Sequence, residues 1–188
     1  MDILTAFGLS ASAGLNAYIP LLVVALTARF TNLIELSSPW DTLESWWVIG
    51  ALVALSLVEF FADKVPAVNH INDVIQTFVR PTAGAIVFAA SAQVVSDVQP
   101  ALAMILGLLV AGSVHAVKAA AVRPAVTAAT GGAGNVPVSI AEDVVSTVLS
   151  ILAAIAPVII ACVLVLITAW IIWFTWRRVN ASRATKNF

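Results

Sequence analysis

From Ile3 to Ala28 the chain carries no charged residue. About 20 apolar residues in helical form cross the hydrocarbon core of a bilayer. Lipid offers the backbone no hydrogen-bond partner, so a helix, which satisfies its own, is the natural spanning form. Further largely apolar runs lie at 46–62, within 74–96, at 101–121 and from Ile140 to Trp176. Of the 188 residues 61% are hydrophobic and 10% charged, and the mean hydropathy is +1.03. Soluble domains run nearer half apolar and a quarter charged. A domain of this size cannot hide so much apolar surface, so much of it faces lipid. The expected fold is an all-α integral membrane protein with about six membrane segments, forming a single membrane domain over residues 1–188.

Polar residues and prolines punctuate these runs. In 3–28 the small residues Gly8 and Ser12, and Ser10 and Gly14, stand four apart, a spacing that lets helices approach closely. The start Met1-Asp2 lacks the basic leader of a signal peptide, so 3–28 is expected to be one retained helix. Residues 29–45 form a polar loop, and Trp40, Trp46 and Trp47 frame its end like an interfacial aromatic belt. The stretch 63–80 mixes Pro66, Asn69, His70, Asn72, Asp73 and Arg80 with apolar residues and is followed by Pro81. It reads as an interrupted element. Asp97 to Pro100 is expected to be a tight turn. Residues 122–140 hold two prolines and three glycines and cannot be one regular helix. Ile140 to Trp176 is too long for a single crossing, so it kinks at Pro157 or is two helices. Arg177, Arg178, Arg183 and Lys186 make the tail the most basic end, which places the C-terminus in the cytoplasm, with Trp170, Trp173 and Trp176 as its anchor.

Two stretches resemble each other. GALVALS at 50–56 is matched by GLLVAGS at 107–113, VPAV at 65–68 by VRPAV at 122–126, and NDVIQT at 72–77 by EDVVST at 142–147. The order is the same in both. The sequence therefore suggests repeat units 50–97 and 107–157, with extra helices 3–28 and 158–177. Transport proteins are often built from repeats with interrupted helices around a site near the midplane. Non-helical backbone at that depth persists only where protein or a watery cavity covers it. The two proline-bearing segments are thus expected to be paired interrupted or re-entrant elements.

The segments EFFADKVPAVNHINDVIQTFVRPTAGA (59–85) and HAVKAAAVRPAVTAATGGAGNVPVSIAEDVVS (115–146) resemble the bacterial membrane family catalogued as domain of unknown function number 4126. The resemblance covers nearly the whole chain. It implies a small polytopic protein of the bacterial inner membrane and no particular activity, so no functional residue is carried over from it.

The charged residues within or beside the apolar runs are the candidate site. Glu59 and Asp63, four apart, share a helix face. With His70 and Asp73 nearby they suit a cation or a proton relay, because ionisable groups inside membranes are costly and usually face a cavity or a partner. The bland reading is that Lys64 neutralises one of them at a helix end. Asp73, Glu142 and Asp143 either line the same route or mark two helix starts, where acids and caps are favoured; Ser139 with Glu142 has the capping-box spacing. The bases Lys64, Arg80, Lys118 and Arg123, with His115, either pair with these five acids or hold an anion such as a lipid phosphate. Near-balance of acids and bases favours a paired network.

Gly131 to Asn135 could wrap an ion with backbone groups, but it lacks a P-loop ending and reads first as a surface loop. No metal-ligand spacing joins the two histidines. Cys162, the only cysteine, reads as a packed hydrophobe; disulfides and cysteine zinc sites within one chain are excluded. No catalytic motif and no cofactor signature stands out. A net charge of −1 argues against nucleic acid as a partner. The expected function is a transporter or channel for a small ion or polar solute, with the bilayer as its other partner. A lipid-phosphate translocator or membrane enzyme, and a structural membrane component, are the alternatives. The sequence leaves homo-oligomerisation open.

Overall fold

The uncharged run that opens the chain is two helices. α1 (Ile3–Leu15) stops at Asn16, and α2 (Tyr18–Phe30) starts two residues later. The Asn16 carboxamide oxygen accepts the backbone N–H groups of Tyr18 and Ile19, each at 3.1 Å, so Asn16 caps the second helix while ending the first. Pro20 falls in the first turn of α2, where its missing N–H leaves no intrahelical bond unmade. The expectation of one helix over 3–28 is therefore corrected. At 1.5 Å per residue, each half covers about 20 Å.

The computed structural model describes residues 3–64, 66–92, 99–155 and 157–184, with side chains outside 66–70, 157–161, 175 and 178–184. The expected turn at Asp97–Pro100, the His70 side chain and the basic side chains of Arg178, Arg183 and Lys186 fall wholly or partly outside the described residues. The described residues are helical almost throughout, and no strand occurs among them. After α2 a loop leads into a 3₁₀ turn (Trp40–Glu44) and then α3 (Trp46–Ala62), whose first turn is capped by Ser45. α4 (Pro66–Ala92) is followed by α5 (Pro100–Val117), a π-helical turn (Lys118–Val122), α6 (Arg123–Thr130), α7 (Asn135–Ile155) and α8 (Pro157–Ala184).

Two further expectations change. Residues 66–80 are regular helix, because Pro66 opens α4 and a first-position proline breaks nothing. Within 63–80 the described residues leave the helix only at Asp63 and Lys64, just after α3. Asp73 and Asp143 each lie about two turns inside their helices, past Pro66 and Asn135, so neither marks a helix start. The capping box from Ser139 to Glu142 is likewise absent, since α7 already began at Asn135. Residues 122–140 are not one helix, as expected: Gly131 and Gly132 turn the chain with φ of 62° and 94°, which only glycine adopts readily.

Three stretches, Ile71–Ala92, Pro100–Thr130 and Asn135–Ile155, are long and apolar enough to cross a membrane; Ile3–Leu15, Tyr18–Phe30, Trp46–Ala62 and Cys162–Phe174 are shorter apolar helices. This all-helical set fits a membrane protein. α1 is the hub and packs on α4, α5 and α7. Its small residues make that approach close. Ser10 Oγ donates to the Gly107 carbonyl at 2.8 Å, and Ser12 Oγ meets the hydroxyls of Ser146 and Ser150 at 2.8 and 2.7 Å. α4 and α5 touch through Gly84 and Gly107, where an added Cβ would run into Ala111 or into the Gly84 carbonyl. Large apolar side chains on α3, α5, α7 and α8 point outward, as lipid-facing surfaces do.

Candidate functional site

The polar residues within these helices converge. Arg80, fully buried on α4, donates through Nη2 and Nε to Glu59 Oε1 at 2.9 and 3.3 Å and lies 3.7 Å from Asp63 Oδ2. Asp63, in the turn after α3, is the most connected carboxylate. It accepts from Asn72 at 2.6 Å, Arg123 at 3.2 Å and Ser139 at 3.2 Å. Burial alone would raise its pKa, but Lys118, Arg80 and Arg123 together outweigh burial and hold its carboxyl below the usual carboxylate range.

The π turn brings Lys118 and Arg123 to the same acids. Lys118 Nζ lies 2.7 Å from Glu142 Oε2 and donates to the Leu15 carbonyl at 3.2 Å. Arg123 reaches Asp63, Asp73 at 3.3 Å and Glu142 at 3.6 Å. Lys64 pairs with Asp143 at 3.1 Å and sits over the Phe60 ring, 3.3 Å from its centroid. Asp143 also accepts from Asn16 Nδ2 at 3.0 Å, which ties the break between α1 and α2 to the network.

His115 bridges the centre. Its Nδ1 lies 3.4 Å from Arg80 Nη1 and its Nε2 3.3 Å from Thr77 Oγ1. A guanidinium only donates, so Nδ1 accepts and Nε2 carries the hydrogen. Thr77 gives its own hydrogen to the Asp73 carbonyl at 2.8 Å and is free to accept. The hydrogen-bond pattern assigns a neutral imidazole.

All ten sequence candidates thus gather in one place: Glu59, Asp63, Asp73, Glu142, Arg80, Lys118, Arg123 and His115 are joined by ion pairs or hydrogen bonds, and Lys64 with Asp143 forms a pair beside them. Sequence reasoning singled out neither Gln76 nor the roles of Asn16, Asn72 and Ser139. A signal existed: Asn72, Gln76 and Arg80 recur every fourth residue, one face of the helix that 66–92 turned out to be. Among the described residues no group of three or more His, Cys, Asp and Glu is arranged to hold a metal ion. The glycine-containing turn at 131–135 binds back on itself, with the Gly134 N–H donating to Thr130 Oγ1 and Asn135 bonded to Thr127.

Two clefts flank the network. One, about 630 Å³, is lined by Asp73, Val74, Thr77, Arg123, Thr127 and Asn135 among others. The second, about 380 Å³, is lined by Asn16, Ser56, Phe60, Asp143, Val144 and Thr147 among others. Each contains one Asp-Val-x-x-Thr set. In each, the threonine hydroxyl donates to the carbonyl of its aspartate at 2.8 Å. The pairing is crossed: Lys64, ahead of α4, bonds Asp143 of α7, while Arg123, at the start of α6, bonds Asp73 of α4.

The family model for Domain of unknown function (DUF4126) matches residues 3–177. The chain belongs to that family. The match runs from α1 into α8 and takes in every residue of the network. Neither the curated proteins nor the solved structures compared with the chain gave a match.

Proposed function

We propose that the protein is a multi-pass inner-membrane transporter or channel for a small ion or polar solute, with its route between two related units, 50–97 and 107–157. The crossed pairs carry this reading. When residue i of one unit meets j of the other, and j meets i, the contact has the signature of a two-fold relation. Lys64 with Asp143 and Arg123 with Asp73 come close to that form: the aspartates are equivalent, and the bases stand two residues before Pro66 and one before Pro124. The Asp-Val-x-x-Thr sets that line the two clefts extend it. The break at Asn16, the turn after α3 and the π turn place irregular backbone against the charges, the arrangement in which broken helices build ion sites.

The charge pattern favours a cation over an anion. Arg80, Lys118 and Arg123 are each held by carboxylates, which leaves little positive field for a phosphate. The test is flux in proteoliposomes across a panel of monovalent and divalent cations and small polar solutes. Asp73→Asn and Asp143→Asn should each slow flux about tenfold or more, a barrier change of about 1.4 kcal/mol, with folded yield retained. A parent protein that moves nothing in the panel would overturn the reading.

A further inference from the structure

Glu59 stands out within the network. It is 1% exposed, and its two oxygens are treated differently. Oε1 accepts two hydrogen bonds from Arg80, whereas Oε2 is buried with no partner among the described residues. An ionised carboxylate only accepts, and both its oxygens seek donors. A protonated carboxyl behaves as seen here: its carbonyl oxygen accepts, and its hydroxyl needs an acceptor. Gln76 on α4 offers such an acceptor. Gln76 is 2% exposed, its Oε1 has no partner among the described residues, and it lies one turn from Arg80 on α4. Tyr18 lies beside both Glu59 and Gln76.

The charge count agrees. Among the described residues the network holds the five acids Glu59, Asp63, Asp73, Glu142 and Asp143 against the four bases Lys64, Arg80, Lys118 and Arg123, with His115 neutral. One negative charge is left over, and an uncompensated buried charge is costly. One proton cancels it. A metal cation fits less well: it wants six or so oxygen ligands, and Arg80 already holds the other oxygen of the same carboxylate. The groups whose charges act on Glu59 are Arg80 from α4, Asp63 beyond its own helix and Lys118 from the π turn, with Tyr18 from α2 close by and His115 one hydrogen bond away through Arg80.

Ser56 offers a route to the site. Ser56, three residues before Glu59 on α3, lines the Asn16–Asp143 cleft, and its hydroxyl oxygen is also buried without a partner. Residues three apart share a helix face. We infer that Glu59 is a proton-binding site, loaded at Oε2 from the Asn16–Asp143 cleft past Ser56. Loading forms one O–H bond with a proton drawn from water in that cleft, and unloading returns it; no electrons move. As the ion that is moved, this proton rests on the transport reading above; as a bound proton, it does not.

Difference infrared spectroscopy of the full chain in phosphatidylethanolamine–phosphatidylglycerol liposomes near neutral pH tests the site. A protonated-carboxyl C=O band should be present, lost in Glu59→Gln and shifted in Gln76→Leu. Ser56→Ala should keep the band but slow its exchange in deuterium oxide. Absence of the band in the parent, or its survival in Glu59→Gln, overturns the inference. If Glu59→Gln does not fold, Gln76→Leu decides, since a proton held elsewhere would leave the band unmoved. Loss of the band on adding sodium or potassium at fixed pH would replace the proton with a metal cation. If the band behaves as expected while the liposomes carry no flux, the proton site stands and the transport reading falls.

Discussion

Asp63 shows how much one side chain can organise. It joins the turn after α3 to α4 through Asn72, to α6 through Arg123 and to α7 through Ser139. Its carboxyl titrates below the ordinary value of 3.8 in the folded chain. A depressed folded value means that Asp63 contributes its stability above the unfolded pKa, and that this contribution is lost as pH falls through the folded one. The melting temperature of the parent should therefore drop on acidification below about pH 4. Asp63→Asn should already be less stable at neutral pH and should show a smaller acid drop. An identical acid profile in the two proteins would mean that Asp63 does not carry this linkage. The residue types of the network could be read from the sequence, because charges within apolar runs need a partner. The partners could not. Lys64 follows Asp63 directly, yet its carboxylate is Asp143 on another helix, and only tertiary packing makes that choice.

At the scale of elements, the π turn explains how two bases reach one acid. In an α-helix residues five apart point about 140° away from each other. Lys118 and Arg123 nevertheless both lie close to Glu142. The Arg123 N–H bonds the Lys118 carbonyl, five residues back, so the extra residue is taken up as a wide turn. The step from Gly107 to Pro124 is one residue longer than that from Gly50 to Pro66, which is the insertion such a turn absorbs. Deleting Ala120 should restore a regular helix and rotate Arg123 by about 100°, away from Asp63 and Asp73. Breaking buried pairs costs about 3–5 kcal/mol, whereas Ala120→Gly costs about 1 kcal/mol. Thermal melting should separate the two variants clearly, and equal melting temperatures would mean that the turn does not position Arg123. Close packing gives a second check. A Cβ on Gly84 would collide with Ala111 and the Gly107 backbone, neither of which can swing aside. Gly84→Ala should cost about 1–3 kcal/mol of overpacking, read as a lower midpoint in detergent unfolding. Elements were legible where one apolar run is one helix, as at 46–62. They were not legible where Asn16 broke an uncharged apolar run, or where Pro66 began a helix instead of interrupting one.

For the whole molecule, the crossed pairs turn a sequence likeness into a mechanical expectation. Both pairs are closed, at 3.1 Å for Lys64 with Asp143 and 3.3 Å for Arg123 with Asp73; Arg123 and Asp73 both line one cleft, and Asp143 lines the other. If the two units work as equivalent halves, passage from one cleft to the other requires each pair to part in turn. Long lysine and arginine stems set the Cα atoms farther apart than a disulfide spans, so a short bifunctional thiol reagent suits the test better than oxidation. In a Cys162→Ser background, Lys64→Cys with Asp143→Cys, and separately Asp73→Cys with Arg123→Cys, should each cross-link. Either bridge should stop flux, compared with the same variant left unbridged and with single-cysteine controls treated alike. Flux that one bridge stops and the other spares would argue for a single gate and against equivalent halves. Flux that survives both bridges would take the route out from between the pairs, and the ion network would then be a structural tie between the two units.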